Sequence, residues 1–214
     1  MILGLAAVLL MVLIEQVLLP SYFVKSAAKI ILFAGLIFLY AAESKEKLLQ
    51  IIRFHNRKNT KLLLIMLSGF VMILLCFFLF QNRIDLGAIK QRLYEKEGLT
   101  RENCLYVFAY IMLVNSFLEE AFFRGFLYHI AKTRYSIQAG YLYSSILFAL
   151  YHIGIISSWF DPLILVLSLT GLFLSGVFLQ FVSVYFDDLK ASWMIHLFSN
   201  LAINTIGFIA IYYH

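Results

Sequence analysis

Residues 105–128 read LYVFAYIMLVNSFLEEAFFRGFLY, an apolar run from Leu105 to Tyr128 interrupted by Glu119, Glu120 and Arg124. A run of this length suits a membrane-spanning helix, which needs about 20 apolar residues. Each ionisable group in hydrocarbon costs roughly 2.5–3.5 kcal/mol on insertion scales, so such a cluster needs a reason. Glu120 and Arg124 are spaced i,i+4 and share a helix face, which neutralises them in part. Glu119 is left without a local partner. A lone carboxyl in an apolar wall is a usual source of a general base or acid.

The rest of the chain agrees with a membrane setting. Of 214 residues, 63% are hydrophobic and 14% charged, with a mean hydropathy of +0.89, whereas a soluble domain carries about 25% charged residues. Seven apolar segments stand out: Ile2–Leu19, Ala27–Ala42, Leu62–Phe80, Leu105–Ile130, Ile137–Ile156, Leu163–Tyr185 and Trp193–Tyr213. The expected fold is all-α, a polytopic membrane protein of about seven transmembrane helices with its active site in the helical bundle. Residues 1–104 would supply three spans and an interfacial segment, and residues 105–214 a catalytic helical core. The spans and their connections leave no room for a separate soluble domain. The apolar start lacks a basic region and a small-residue cleavage pattern, so it reads as a retained helix and not a secretory signal. Cys76 and Cys104 form neither a disulfide framework nor a zinc cluster.

The connection Glu43–Lys61 carries Lys45, Lys47, Arg53, Arg57, Lys58 and Lys61 against Glu43 and Glu46. The positive-inside rule places it in the cytoplasm, with the N-terminus inside and the C-terminus outside. The remaining connections then bring the count to nine Lys/Arg inside and seven outside, with Lys29 at the start of its segment counted outside and Arg124 left in the membrane. The net charge of +5 reads as topogenic and lipid-facing, with no nucleic-acid partner. Between Ile84 and Glu97, Leu86, Ile89 and Leu93 recur at helical spacing among Lys90, Arg92 and Lys96. That pattern suits a helix in the outer interface or a solvated loop.

Four polar residues on apolar helices invite a chemical reading: Glu119, His152, His196 and Asn200. His196 and Asn200 are spaced i,i+4 and project from one face of the last span. Phe148 and His152 share that spacing, so the ring packs beside the imidazole. A single intramembrane histidine is usually a packing residue, but these groups gather on three helices of one small chain. His129, His214 and Pro20 read as span-end residues and His55 as a solvated loop residue. Asp161, Asp187 and Asp188 read as caps or loop residues, and Glu15 as interfacial or bonded between helices. Gly171 and Gly176 would permit close helix packing.

Glu119-Glu120-Ala-Phe-Phe-Arg124 resembles the E-E-x-x-x-R motif of the CAAX protease and bacteriocin-processing (ABI) family of intramembrane endopeptidases, which includes the type II CAAX prenyl endopeptidases. Phe148-Ala-Leu-Tyr-His152 resembles its F-x-x-x-H, and His196-Leu-Phe-Ser-Asn200 its H-x-x-x-N, in the same order. The stretch Asp187–Trp193 departs from the T-G-S-L-W-A-P of many members, and the first three spans share only hydrophobicity with the family.

The resemblance implies peptide-bond hydrolysis in a membrane-associated protein or peptide, and the short chain without extra domains points to a multi-pass protein of a bacterial or archaeal membrane. Glu119 would be general base on a water held by His152, with His196 and Asn200 stabilising the oxyanion and Glu120, Arg124 and Phe148 in support. No cofactor is required on that reading. A zinc site of Glu119, His152 and His196 is the competing one. Two further classes stay open: an ion or proton transporter, and a non-catalytic immunity or regulatory protein. One geometric conflict is evident. A rise of 1.5 Å per residue puts His152 near the outer end of its span and His196 near the inner end of its own. A shared site then needs a broken or re-entrant span, or boundaries displaced by several residues.

Overall fold

The computed structural model describes residues 1–18, 21–45, 47–53 and 60–213, and among these every regular element is helical. Pro20, Glu46, His55, Arg57, Lys58 and His214 lie outside the described residues. In chain order the helices are α1 (Ile2–Leu18), α2 (Tyr22–Ser44), α3 (Thr60–Phe80), α4 (Leu86–Glu97), α5 (Cys104–Arg134), α6 (Ile137–Ile156), α7 (Pro162–Tyr185) and α8 (Leu189–Tyr213), with a short helix Leu48–Ile52 between α2 and α3. Among the described residues six helices are long and apolar enough to cross a membrane, and the first apolar segment forms the shorter helix α1. The chain is an all-α, multi-pass integral membrane protein.

Local chemistry sets the helix ends. Asp161 caps α7 by accepting the N–H groups of Leu163 and Ile164 at 2.9 and 3.0 Å, and Pro162 occupies the first helical position. Asp188 accepts the N–H of Lys190 at 3.0 Å where α8 begins, and Asp187 pairs with Arg53 at 3.7 Å. The capping and loop roles expected of these aspartates describe their contacts. Within the stretch Ile84 to Glu97 the chain is helical over Leu86–Glu97. Asp85 caps it through the N–H of Ala88, and Gly98 ends it at φ 62°, a left-handed conformation that suits glycine.

Two expectations need correction. Gly176 does allow close approach, since a Cβ there would meet Ser145 Cβ at 3.1 Å, but Gly171 has nothing within 4 Å and is no packing glycine. Five residues turn a helix by about 140° beyond a full circle, so the two cannot face one neighbour. The second correction concerns α2, which begins at Tyr22 and not near Ala27. Lys25 and Lys29, counted above among outer loop charges, are helix residues with 3% and 8% exposure. Removing two cations from the outer side widens the charge bias behind the positive-inside reading.

Lys25, Lys29, Phe33 and Ile37 form the buried stripe of α2, spaced every four residues. Phe33 stacks on Phe122 of α5 with ring centroids 3.9 Å apart and planes 4° from parallel. This contact belongs to a core that joins α1, α2, α5 and α6. It seats α2 beside the charged turn of α5. Lys25 bridges Glu15 of α1 at 3.0 Å and Glu97 of α4 at 2.7 Å, so the half-buried Glu15 is an interhelical ion-pair residue.

Candidate active site

Helix α5 is not regular around its charges. Wide π-type turns over Ile111–Asn115 and Ala121–Leu127 flank one α-helical turn, Ser116–Glu120. Such turns release backbone carbonyls from the usual ladder and recur at functional sites. Two α8 side chains collect carbonyls from this part of the helix. Asn200 donates to Ile111 at 3.3 Å and Asn204 to Phe108 at 3.1 Å. Trp193 Nε1 donates to Ser116 Oγ at 3.0 Å. Together these bonds fasten α8 along the irregular face of α5.

Glu119 and Glu120 are both buried, at 2% and 0% exposure, although adjacent helix residues point about 100° apart. His196 lies between them. Its Nδ1 is 2.9 Å from Glu120 Oε1 and its Nε2 is 3.7 Å from Glu119 Oε2. Glu120 is also 3.5 Å from Arg124 Nε, and a carboxylate can only accept, so Nδ1–H of His196 donates to it. The buried guanidinium of Arg124 lies 3.9 Å from the Phe148 ring centroid, a cation–π contact. Phe148 is the hinge of the cluster, with its ring 4.4 Å from His152 and 5.8 Å from His196.

His152 donates from Nδ1 to the Phe148 carbonyl at 2.8 Å, which leaves Nε2 as its acceptor nitrogen. The ring meets the Phe148 ring at 4.4 Å, and the same Phe148 ring meets His196 at 5.8 Å. The two histidines therefore share one site, and neither α6 nor α8 is broken or re-entrant. Displaced boundaries resolve the conflict. Helix α8 starts at Leu189, four residues before the expected Trp193, which moves His196 deeper along its helix. The irregular backbone lies in α5 instead.

The expectation of a partnerless Glu119 is overturned. Its Oε1 accepts from Asn115 Nδ2 at 2.8 Å and lies 3.4 Å from Lys29 Nζ. Lys29 in turn donates to Asn115 Oδ1 at 2.6 Å and sits 4.9 Å from the Tyr151 ring centroid. Lys29, Asn115 and Tyr151 were not among the site residues read from sequence. A signal existed for the first, because two lysines four apart on an apolar helix should turn inward together. For zinc, the donor set fits poorly: among the described residues no group of three or more His, Cys, Asp or Glu is arranged to hold a metal ion. The Lys29 ammonium also stands where it would repel a dication bound to Glu119. The open cleft of about 410 Å³ between α4 and the end of α8 contains none of these residues.

Residues 101–202 match a protein-family model described as Type II CAAX prenyl endopeptidase Rce1-like. No curated protein and no solved structure matches the chain. The matched stretch holds all three motifs, so the segment from Glu119 to Asn200 is Rce1-like and the family kinship read from those motifs stands. The family that this model describes is one of intramembrane proteases. Lys29 and the rest of α2 lie outside the match.

Proposed function

We propose that the protein hydrolyses a peptide bond of a membrane-associated protein or peptide, with Glu119 as general base. The observation that carries this reading is the division of labour between the two oxygens of Glu119. Oε1 is taken by Asn115 and Lys29, while Oε2 faces His196 Nε2 at 3.7 Å. The second oxygen is the one free to take a proton from water. His152, with Nδ1–H committed to a backbone carbonyl, presents Nε2 as an acceptor that orients the same water.

The attacked carbonyl gains negative charge as water adds. His196 donates to it from Nε2, its ring held through Nδ1 by Glu120, which is steadied by Arg124. Donation from both nitrogens uses the doubly protonated ring. Asn200 gives one amide hydrogen to Ile111 and has a second for the oxyanion. The leaving amine then takes the proton that Glu119 removed from water. This mechanism needs no metal. The substrate is a chain end presented by the bilayer, either trimmed near a lipidated cysteine or cut to release a C-terminal sorting segment.

The test uses purified protein in proteoliposomes with two peptide sets, one prenylated near a C-terminal C-a-a-X sequence and one ending in an apolar anchor. Cleavage of either set by the parent and not by Glu119→Gln supports the reading. Equal cleavage by both proteins overturns it.

A further inference from the structure

The motifs describe only one side of Glu119. Its other side is built by α2, a helix outside the family match, and that helix places a buried cation on the carboxylate. We propose that Lys29 is a positioning residue for Glu119: together with Asn115 it clamps Oε1 and thereby aims Oε2 at the water and His196. The inference rests on the reading of Glu119 as general base.

Three observations converge on Lys29. It is 8% exposed, so its charge has been taken out of water and needs compensation. Its Nζ contacts Asn115 Oδ1 at 2.6 Å and Glu119 Oε1 at 3.4 Å, while Asn115 Nδ2 reaches the same Glu119 oxygen at 2.8 Å. The three side chains thus close a triangle in which Asn115 accepts from the lysine and donates to the glutamate. Finally, the fully buried Tyr151 ring lies 4.9 Å from the ammonium and limits where it can move. The backbone supports the same geometry. Lys29 precedes Phe33 by one turn, and the Phe33–Phe122 stack locks α2 against α5 next to the clamp. A lysine serving only to join helices would need no shared oxygen with the proposed base.

A clamp and a substrate-binding cation make different kinetic predictions. Loss of the clamp lets the carboxylate wander, and a displacement of about 1 Å in a reacting group can cost on the order of 10²-fold in rate. That loss falls on kcat. A lysine that bound the substrate's terminal carboxylate would instead change KM.

The experiment measures kcat and KM of the full chain in proteoliposomes for Lys29→Met, Lys29→Arg and Asn115→Ala, with Glu119→Gln alongside. Lys29→Met should lower kcat by about 10–100-fold with KM within about two-fold, and Lys29→Arg should recover most of the loss. Asn115→Ala leaves both charges in place but opens the triangle, and should lower kcat in the same direction. It keeps the question answerable if the methionine variant does not insert. A kcat near the parent's in Lys29→Met, or in Asn115→Ala where the former does not insert, overturns the inference. So does a loss confined to KM. Inactive Glu119→Gln beside fully active Lys29→Met would remove this inference alone, whereas active Glu119→Gln would remove the base assignment and the clamp together.

Discussion

Glu119 has two sides, and they come from different parts of the chain. One side is made of His196, Glu120 and Arg124, all within the Rce1-like stretch, with His196 3.7 Å from Oε2. The other brings Lys29 of α2 against Oε1 at 3.4 Å, through Asn115 of α5. Both sides bury charge at membrane depth, but with different logic. On the first, opposite charges lie on one helix at i,i+4 and announce themselves in sequence. On the second, the cation and the carboxylate are 90 residues apart and meet only because α2 packs on α5. A buried ion pair formed between helices leaves no local spacing to read.

The largest expected effect tests whether Glu119 is the centre that both sides serve. Glu119→Gln keeps the shape and the Asn115 contact but cannot accept a proton. It should lower kcat by roughly 10²–10⁴-fold, the usual range for a general base, in a variant that inserts like the parent. Turnover near the parental rate would make both sides structural.

Next comes the His196 side. Asn200 already has a structural task, its bond to Ile111, so Asn200→Ala separates scaffold from chemistry. An interhelical polar contact in a membrane averages only about 0.6 kcal/mol. Loss of an oxyanion donor should lower kcat about 10²–10³-fold, with little change in KM because the oxyanion exists only in the transition state. Asn200→Asp should be at least as damaging, since it can place negative charge where negative charge develops. Both variants turning over within a few-fold of the parent would leave Asn200 as scaffold only.

What could be read in advance divides along the same line. Membrane helices, the clustering of the three motifs on α5, α6 and α8, and the Glu120–Arg124 pair follow from apolar runs and i,i+4 spacing, which are local. The helical state of Leu86–Glu97 was half legible, because its apolar triad suited a helix but its charge density also suited a loop. Lys25 was misplaced by starting α2 at Ala27, and Lys29, two residues into that segment, was counted with the outer loop charges, whereas the helix extends through both lysines and their charges find carboxylates on other helices. The π turns of α5 had no sequence mark at all. They redistribute backbone hydrogen bonds, and α8 side chains collect the released carbonyls. Gly171 failed for a simpler reason: small size suggests a contact but does not supply a neighbour.

A smaller effect, on stability alone, separates packing glycines from bystanders within α7. Gly176→Ala must push Ser145 away from a contact of 3.1 Å, and overpacking of this kind costs about 1–3 kcal/mol. Gly171→Ala meets nothing within 4 Å and should leave the melting temperature in detergent unchanged. Equal shifts for the two variants would mean that α7 packs differently from the arrangement described here.

The smallest expected effect is none, and it bears most directly on the two sides of Glu119. In a zinc site of Glu119, His152 and His196, the metal would need the carboxylate, and the Lys29 ammonium beside it would be a repulsive neighbour. Lys29 would then have to swing away, breaking the triangle with Asn115. In the clamp the ammonium supplies the positive charge that the carboxylate needs, and a dication is redundant. Exhaustive chelation should therefore leave kcat unchanged, and metal analysis of the active protein should give zinc far below one equivalent. The opposite result has a structural consequence that can be checked separately. If activity is lost with stoichiometric zinc and returns with it, then Lys29→Met should strengthen zinc retention, because it removes the repelling charge, instead of lowering kcat. The same substitution thus moves different observables in the two mechanisms, kcat in one and metal affinity in the other.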